Sequence, residues 1–166
     1  MNINGDDVDI RPLSGQQAAL LVPQLWAALS PQRRRYVVWD AANLHGPSAL
    51  AKIVALGNVS IAAWVNGAIL GIAWVIPLCT GSRCGLIHMA CTGPRYQAEA
   101  IGNAWLSQVL PRHYDSLLAF LPLNFRHIRA MIEAMGFRII SRIPGGACLT
   151  MRGNRIVTSV LYQKDL

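Results

Sequence analysis

From Ile53 to Ser82 the chain carries no charged side chain. Val59 to Cys79 is apolar almost throughout, long enough to cross a bilayer, which takes about 20 such residues in a helix. Asn66-Gly67 interrupts the run near its middle, between Ile61-Ala-Ala-Trp-Val65 and Ala68-Ile-Leu-Gly-Ile72. Both residues accept positive φ, so Asn-Gly between two apolar runs signals a two-residue hairpin. Two buried strands explain the missing charge better than one spanning helix, and no membrane span is expected.

The rest of the pattern builds outward from that hairpin. Val8 to Pro12 reads as a first strand. Ser14-Gly-Gln-Gln17 is a capping-box pattern that opens a helix, and Pro23 should kink or divide it. Ser30-Pro31 can start a further helix carrying Arg33-Arg34-Arg35, Tyr36 and Trp39. Pro47 to Leu56 suits a third short helix, stopped by Gly57-Asn58. Strands are predicted over Val59–Val65, Ala68–Leu78 and Cys84–Thr92, the last two joined by a turn at Thr80-Gly-Ser-Arg83. Ala100 to Leu110 reads as a helix with Ile101, Trp105 and Val109 in one stripe, ended by Pro111. Ser116 to Pro122 reads as a strand. Asn124 is expected to cap a helix with Phe125, Ile128, Ile132 and Met135 inside and Arg126, Arg129 and Glu133 outside. Three strands, Phe137–Ile143, Ala147–Met151 and Arg155–Tyr162, are predicted to follow through turns at Pro144-Gly-Gly and Gly153-Asn. The order implies one α+β domain over residues 1–166, built on one mixed sheet.

Between the third strand of the meander and the next helix lies Thr92-Gly-Pro-Arg-Tyr-Gln97-Ala98-Glu99-Ala100-Ile101-Gly102. Small residues at Ala98, Ala100 and Gly102 leave room for backbone N–H groups to converge on a phosphate at a helix N-terminus. The same residues also read as an ordinary helix start, with Gly93 as cap and Pro94 at the first position. Met135-Gly136-Phe137 closes the following helix.

In these segments the chain resembles the acyl-CoA-dependent N-acetyltransferases of the GNAT superfamily. Gln97-Ala-Glu-Ala100-Ile-Gly102 is similar to that family's Gln/Arg-x-x-Gly-x-Gly/Ala loop, with Ala100 in place of the first glycine. Pro94 and Tyr96 fall where the family often has proline and an aromatic residue, and Met135-Gly136-Phe137 looks like its Leu-Gly-Phe. The resemblance implies a GNAT-like acyl-CoA N-acyltransferase fold: a mixed, largely antiparallel central sheet with helices on both faces. It implies two strands that splay to admit the coenzyme's pantetheine arm. It also implies acetyl-CoA or another acyl-CoA as cosubstrate, bound by Cys91, Thr92, Gln97, Ala98, Glu99, Ala100, Ile101, Gly102 and Asn124.

Acyl transfer to an amine needs the amine deprotonated and the leaving thiolate protonated. In many family members a tyrosine on the last helix supplies that proton, and the matching position here is Ile132. Tyr114 and Tyr162 are the nearest alternatives by element. His88 is the candidate base, on the strand that leads into the loop and on the face shared with Thr92. A half-buried histidine satisfied by its neighbours is the competing reading of His88. Trp26, Tyr36 and Trp39 are expected to wall the acceptor side. The acceptor is an unidentified amine or protein. The alternative is a non-catalytic protein of the same fold that binds or assembles, phage- or prophage-encoded.

Composition narrows the partners. A formal net charge of +7 favours an anionic ligand, while 53% hydrophobic and 14% charged residues leave much of the surface neutral. Three consecutive arginines on a helix point in three directions, so a solvated face fits Arg33–Arg35 better than a nucleic-acid site, and no nucleic-acid motif accompanies them. Cys79, Cys84, Cys91 and Cys148 lack paired metal-site spacing, and with His88 they lie along alternating strands, so buried reduced thiols are expected and metal is not. Met1–Asp9 holds three aspartates and no apolar run, which reads as no secretory signal and a cytoplasmic protein. The oligomeric state stays open, a homodimer included.

Overall fold

The computed structural model describes residues 2–3, 6–30, 46–92, 95–108, 110–148 and 156–166. The predicted helix bearing Arg33–Arg35, Tyr36 and Trp39 lies outside them, as does the Gly153-Asn turn. The elements are β1 (Asn2–Ile3), β2 (Asp6–Leu13), α1 (Gly15–Leu20), α2 (Val22–Ala28) and α3 (Pro47–Ala55). Then come β3 (Val59–Val65), β4 (Ala68–Pro77), β5 (Cys84–Cys91), α4 (Arg95–Gln108) and a 3-10 turn at Leu110–Arg112. The chain closes with β6 (Ser116–Pro122), α5 (Arg126–Ala134), β7 (Arg138–Cys148) and β8 (Ile156–Asp165). One eight-stranded sheet runs β1-β2-β3-β4-β5-β6-β8-β7. Every pair in it is antiparallel except β5–β6.

The uncharged run is the β3–β4 hairpin. Asn66 and Gly67 take φ 50° and 78°, as a two-residue primed turn requires, and Val65 pairs with Ala68. Charge is absent because helices cover both faces of these strands. On one face α1, α2 and α3 pack Ala18, Val22, Leu25, Leu50 and Val54 onto Ala62, Ile72, Trp74 and Ala90. On the other, Ile101 and Trp105 of α4 and Ile132 of α5 pack onto Ala73, Ile87, Leu117 and Tyr162. Among the described residues, no helix is long and apolar enough to cross a membrane.

Local signals account for the α1–α2 corner. The Ser14 hydroxyl accepts from the Gln17 N–H at 3.2 Å, and the Gln17 side chain accepts from the Ser14 N–H at 2.9 Å, a reciprocal box. The helix breaks at Leu21, with Pro23 in the first turn of α2. Gly15 sits against the backbone of the α3 exit. A Cβ there would lie 2.2 Å from the Gly57 carbonyl oxygen and 2.9 Å from that of Val54.

Three expectations are corrected. Helix α4 begins by Arg95, five residues before Ala100, while Gly93 and Pro94 lie outside the described residues. Phe125 occupies the N-cap of α5 and no side chain caps it, so Asn124 is not the cap. Pro144-Gly-Gly is no turn: β7 continues through it, and the register against β8 shifts between Ile143 and Ala147 to absorb the extra residues. Pairing with β8 lapses at these three residues and resumes at Ala147, so two predicted strands become one strand with an irregularity inside it.

The three atoms nearest the missing Cβ of Gly15 are all backbone carbonyl oxygens, so Gly15→Ala cannot be relieved by turning a side chain aside. It should lower stability by about 1–3 kcal/mol, read as a lower urea midpoint at unchanged slope.

Candidate active site

Strands β5 and β6 pair in parallel only at Cys84–Ser116, Gly85–Leu117 and Leu86–Leu118. Beyond Leu86 and Leu118 each follows its outer neighbour instead. β5 stays on β4 as far as Cys91, and β6 stays on β8 as far as Pro122. The two inner edges therefore separate from Ile87 and Ala119 onward, and their backbone groups face a wedge-shaped gap. This is the splay that the resemblance implies. Helix α4 starts just past the open end of β5.

The predicted coenzyme residues distribute around that opening. The Thr92 hydroxyl donates to the Leu70 carbonyl at 3.0 Å and its N–H to the same oxygen at 2.7 Å, so this side chain braces β5 against β4. Cys91 is half-buried against the core. Gln97, Ala98, Glu99, Ala100, Ile101 and Gly102 all lie inside α4. An α-helix leaves its first four N–H groups without intrahelical partners, so the available donors shift toward Arg95–Ala98 and those of Ala100–Gly102 belong to the helix ladder. Ile101 is core, and Ala100 packs against it. Gly102 faces the flexible end of Met135: a Cβ would lie 2.4 Å from Met135 Cε and 3.0 Å from its Sδ, so that side chain would have to shift.

Asn124 is exposed at the exit of β6. It lines an open cleft of about 520 Å³ with Leu123, Arg126, Arg129 and Thr158. Arg129 was expected to point outward, yet its side chain is only 19% exposed. Its Nε donates to Tyr162 Oη at 2.7 Å, and a terminal nitrogen donates to the Leu123 carbonyl at 3.2 Å. Tyr162 in turn donates to Glu133 Oε1 at 2.8 Å, and Arg129 lies 3.6 Å from the same oxygen. Sequence reasoning missed this network. The Arg129–Glu133 spacing was visible, but Tyr162 joins them from β8.

The two tyrosines occupy different ends of the site. Tyr114 is buried beside Gly85, where a Cβ would come within 2.9 Å of its ring, so it sits at the closed end of the gap. Tyr162 aligns with Ala119, the first β6 residue past the β5 pairing, and burial pushes its pKa up. Ile132 is core, 6% exposed. Trp26 is half-buried among the α1–α3 core residues, while Tyr36 and Trp39 lie outside the described residues. Among the described residues no cluster of three metal-binding side chains occurs. Cys79 is exposed rather than buried, and Cys84 and Cys91 are half-buried.

His88 stacks on Trp74, its β4 partner, with ring centroids 5.3 Å apart and planes 13° from parallel. The pair faces the α1–α3 side, and burial lowers the His88 pKa from 6.5 to about 4. The imidazole is neutral at physiological pH and a weak base. The linkage sign follows: the unfolded chain takes up the proton near pH 6.5 and the native state resists it until about 4. The native state should therefore lose stability as pH falls through that window, by up to about 1.4 kcal/mol per pH unit. Unfolding curves of wild type and His88→Phe should converge in slope above pH 7 and diverge below 6, the variant being flatter.

No protein-family model matches the chain, and no curated protein matches it by sequence. Solved structures do match its fold. A GNAT-family acetyltransferase from Streptococcus pneumoniae superposes with a TM-score of 0.65 at 16% identity, over 96% of this chain and 99% of that one. A ribosomal-protein-alanine N-acetyltransferase from Brucella melitensis gives 0.71 at 14%, over 95% and 99%. The microcin C7 self-immunity acetyltransferase, solved with acetyl-CoA and AMP, gives 0.67 at 11%, over 95% and 93%. Mixed sheet, splayed β5 and β6, and helices on both faces together make this an α+β chain with the GNAT acyltransferase fold.

Proposed function

We propose that this chain is an acyl-CoA-dependent N-acyltransferase of the GNAT type, acting on an amine in the cytoplasm. The observation that carries the reading is the gap between β5 and β6, opening beside the start of α4. Unpaired strand edges accept a linear ligand that carries its own amides, as pantetheine does. The N-terminal turn of α4 offers unpaired N–H groups and the positive end of the helix dipole to a pyrophosphate. When bound, the coenzyme supplies an activated acyl group as a thioester.

In the transfer the amine nitrogen forms a bond to the thioester carbonyl carbon, the carbon–sulfur bond breaks, and the nitrogen loses a proton as the thiolate gains one. Ile132 has no proton to give, and Tyr162 already donates to Glu133. His88 is too weakly basic for efficient proton removal near neutrality. Proton traffic then runs through solvent or the amine itself, and turnover should fall well below tens per second. The same Ile132 favours a second reading, a protein that keeps the coenzyme site but serves to bind or assemble. Coenzyme binding without turnover across a panel of amines would select it.

Gln97→Glu separates coenzyme binding from folding. A carboxylate in the first turn of α4 favours the helix by about 0.3–1 kcal/mol but repels a pyrophosphate. In thermal melts, acetyl-CoA should protect the wild type by mass action and protect the variant much less, while the unliganded variant melts no lower. No protection of the wild type at millimolar acetyl-CoA, or equal protection of both, would count against the site.

A further inference from the structure

The cleft beside α5 lies on the β8 side of β6, whereas the gap lies on its β5 side. Its lining is rich in donors: the guanidinium groups of Arg126 and Arg129, the Asn124 amide and the Thr158 hydroxyl, with Leu123 as an apolar wall. Among the described residues no carboxylate lines it: Glu133 stands one turn further along α5 and is engaged by Tyr162. Arg129 is held in place by Tyr162, the Leu123 carbonyl and Glu133. The two hydrogen bonds, to Tyr162 and Leu123, use two of the five guanidinium N–H groups and leave the others for the Glu133 ion pair and a ligand. Arg126 is exposed and makes no ion pair or hydrogen bond among the described residues. A pre-set arginine beside a free one, in a hollow the size of a small-molecule site, suits an anion.

We propose that this cleft takes the phosphate or carboxylate of the acceptor, which makes the acceptor class a small amine that also carries an anionic group. The assignment to the acceptor rests on the transferase reading above. There the coenzyme's pyrophosphate is met at the start of α4, past the end of β5, which leaves the β6–α5 flank to the other substrate. One strand separates the cleft from the gap. An amine held by its anion at Arg126 and Arg129 can therefore reach across the end of β6 toward the thioester.

Matched probes test this: O-phosphoethanolamine against ethanolamine, and β-alanine against β-alaninamide, at constant ionic strength. Without coenzyme, the anionic member of each pair should raise the melting temperature more than its neutralised partner, and Arg126→Gln should remove the difference. With acetyl-CoA, kcat/KM should favour the anionic member by about tenfold or more, the scale of a charge-assisted hydrogen bond, with the ratio falling toward one in Arg126→Gln. Arg126 is the informative position because it is exposed, whereas replacing Arg129 also strips Tyr162 of its partner. Equal behaviour within the pairs, or full anion protection in Arg126→Gln, overturns the proposal. So does a loss of acetyl-CoA protection in that variant, which would hand the cleft to the coenzyme. Anion protection that depends on Arg126 but comes without turnover of any amine would keep the anion site and overturn the transferase reading instead.

Discussion

Everything at this site depends on where two strands stop pairing. β5 and β6 are locked together at one end and released at the other. The locked end is dense: Asp115 and Ser116 both donate their N–H groups to the Arg83 carbonyl, and the side chains of Arg83 and Asp115 meet at 2.7 Å. That exposed ion pair is worth little by itself. The packing around Gly85 matters more, since a Cβ there would lie 2.2 Å from Val75 Cγ1 and 2.9 Å from the Tyr114 ring. Past that point each strand has a better partner elsewhere. β5 pairs with β4 from Gly85 to Cys91 and β6 pairs with β8 from Ser116 to Pro122, so twist separates them without costing either its outer ladder. Only the inner edges are left wanting partners, and an unpaired edge away from water favours a ligand that can complete it.

The two helical layers divide the work around that gap. α1, α2 and α3 bury one face of β2–β5, and the stacked Trp74–His88 pair belongs to that layer. α4 and α5 share the other face and meet closely where Gly102 passes Met135. Beyond Met135 the chain turns through Gly136 at φ 85°, and the Lys164 ammonium from β8 donates to the Met135 carbonyl at 2.9 Å. A cation at the carboxyl end of α5 also suits the helix dipole. The position of α5 relative to β8 is thus fixed at both ends, by Lys164 at its exit and by the Arg129–Tyr162–Glu133 network nearer its start.

What could be read from the sequence was whatever local chemistry decides. Asn66-Gly67 needs positive φ at both residues, Ser14 and Gln17 cap one turn, and Pro23 lacks an N–H; each acts within a few residues and each was legible. The failures came where distant pairing outweighed local preference. Pro144-Gly-Gly carries every mark of a turn, yet it forms an irregularity within β7, because the strand pairs with β8 on both sides of it. Asn124 is a good cap residue, yet the exit from β6 puts Phe125 at that place. The small residues after Arg95 suited a phosphate loop and a helix equally well, and spacing could not separate the two. Arg129 looked like an outward-facing charge because its partner, Tyr162, lies in a strand that follows α5 by more than twenty residues.

Gly102 shows how a short motif can be satisfied for a reason other than the one it suggests. A glycine two residues after a small residue, at a strand-to-helix junction, invites the reading that phosphate needs room there. In this chain the room is taken by Met135, and the glycine's N–H is spent inside the helix. In the proposed coenzyme site the donors are then the backbone N–H groups of the first turn of α4, at the positive end of its dipole. That explains how Ala100 could replace a glycine at little cost: at a position inside a helix, alanine is the better residue by about 1 kcal/mol. The departure from the motif that looks most damaging on paper falls where the backbone no longer needs glycine, whereas Ile132 replaces the hydroxyl that the resemblance implies with a side chain buried in the core.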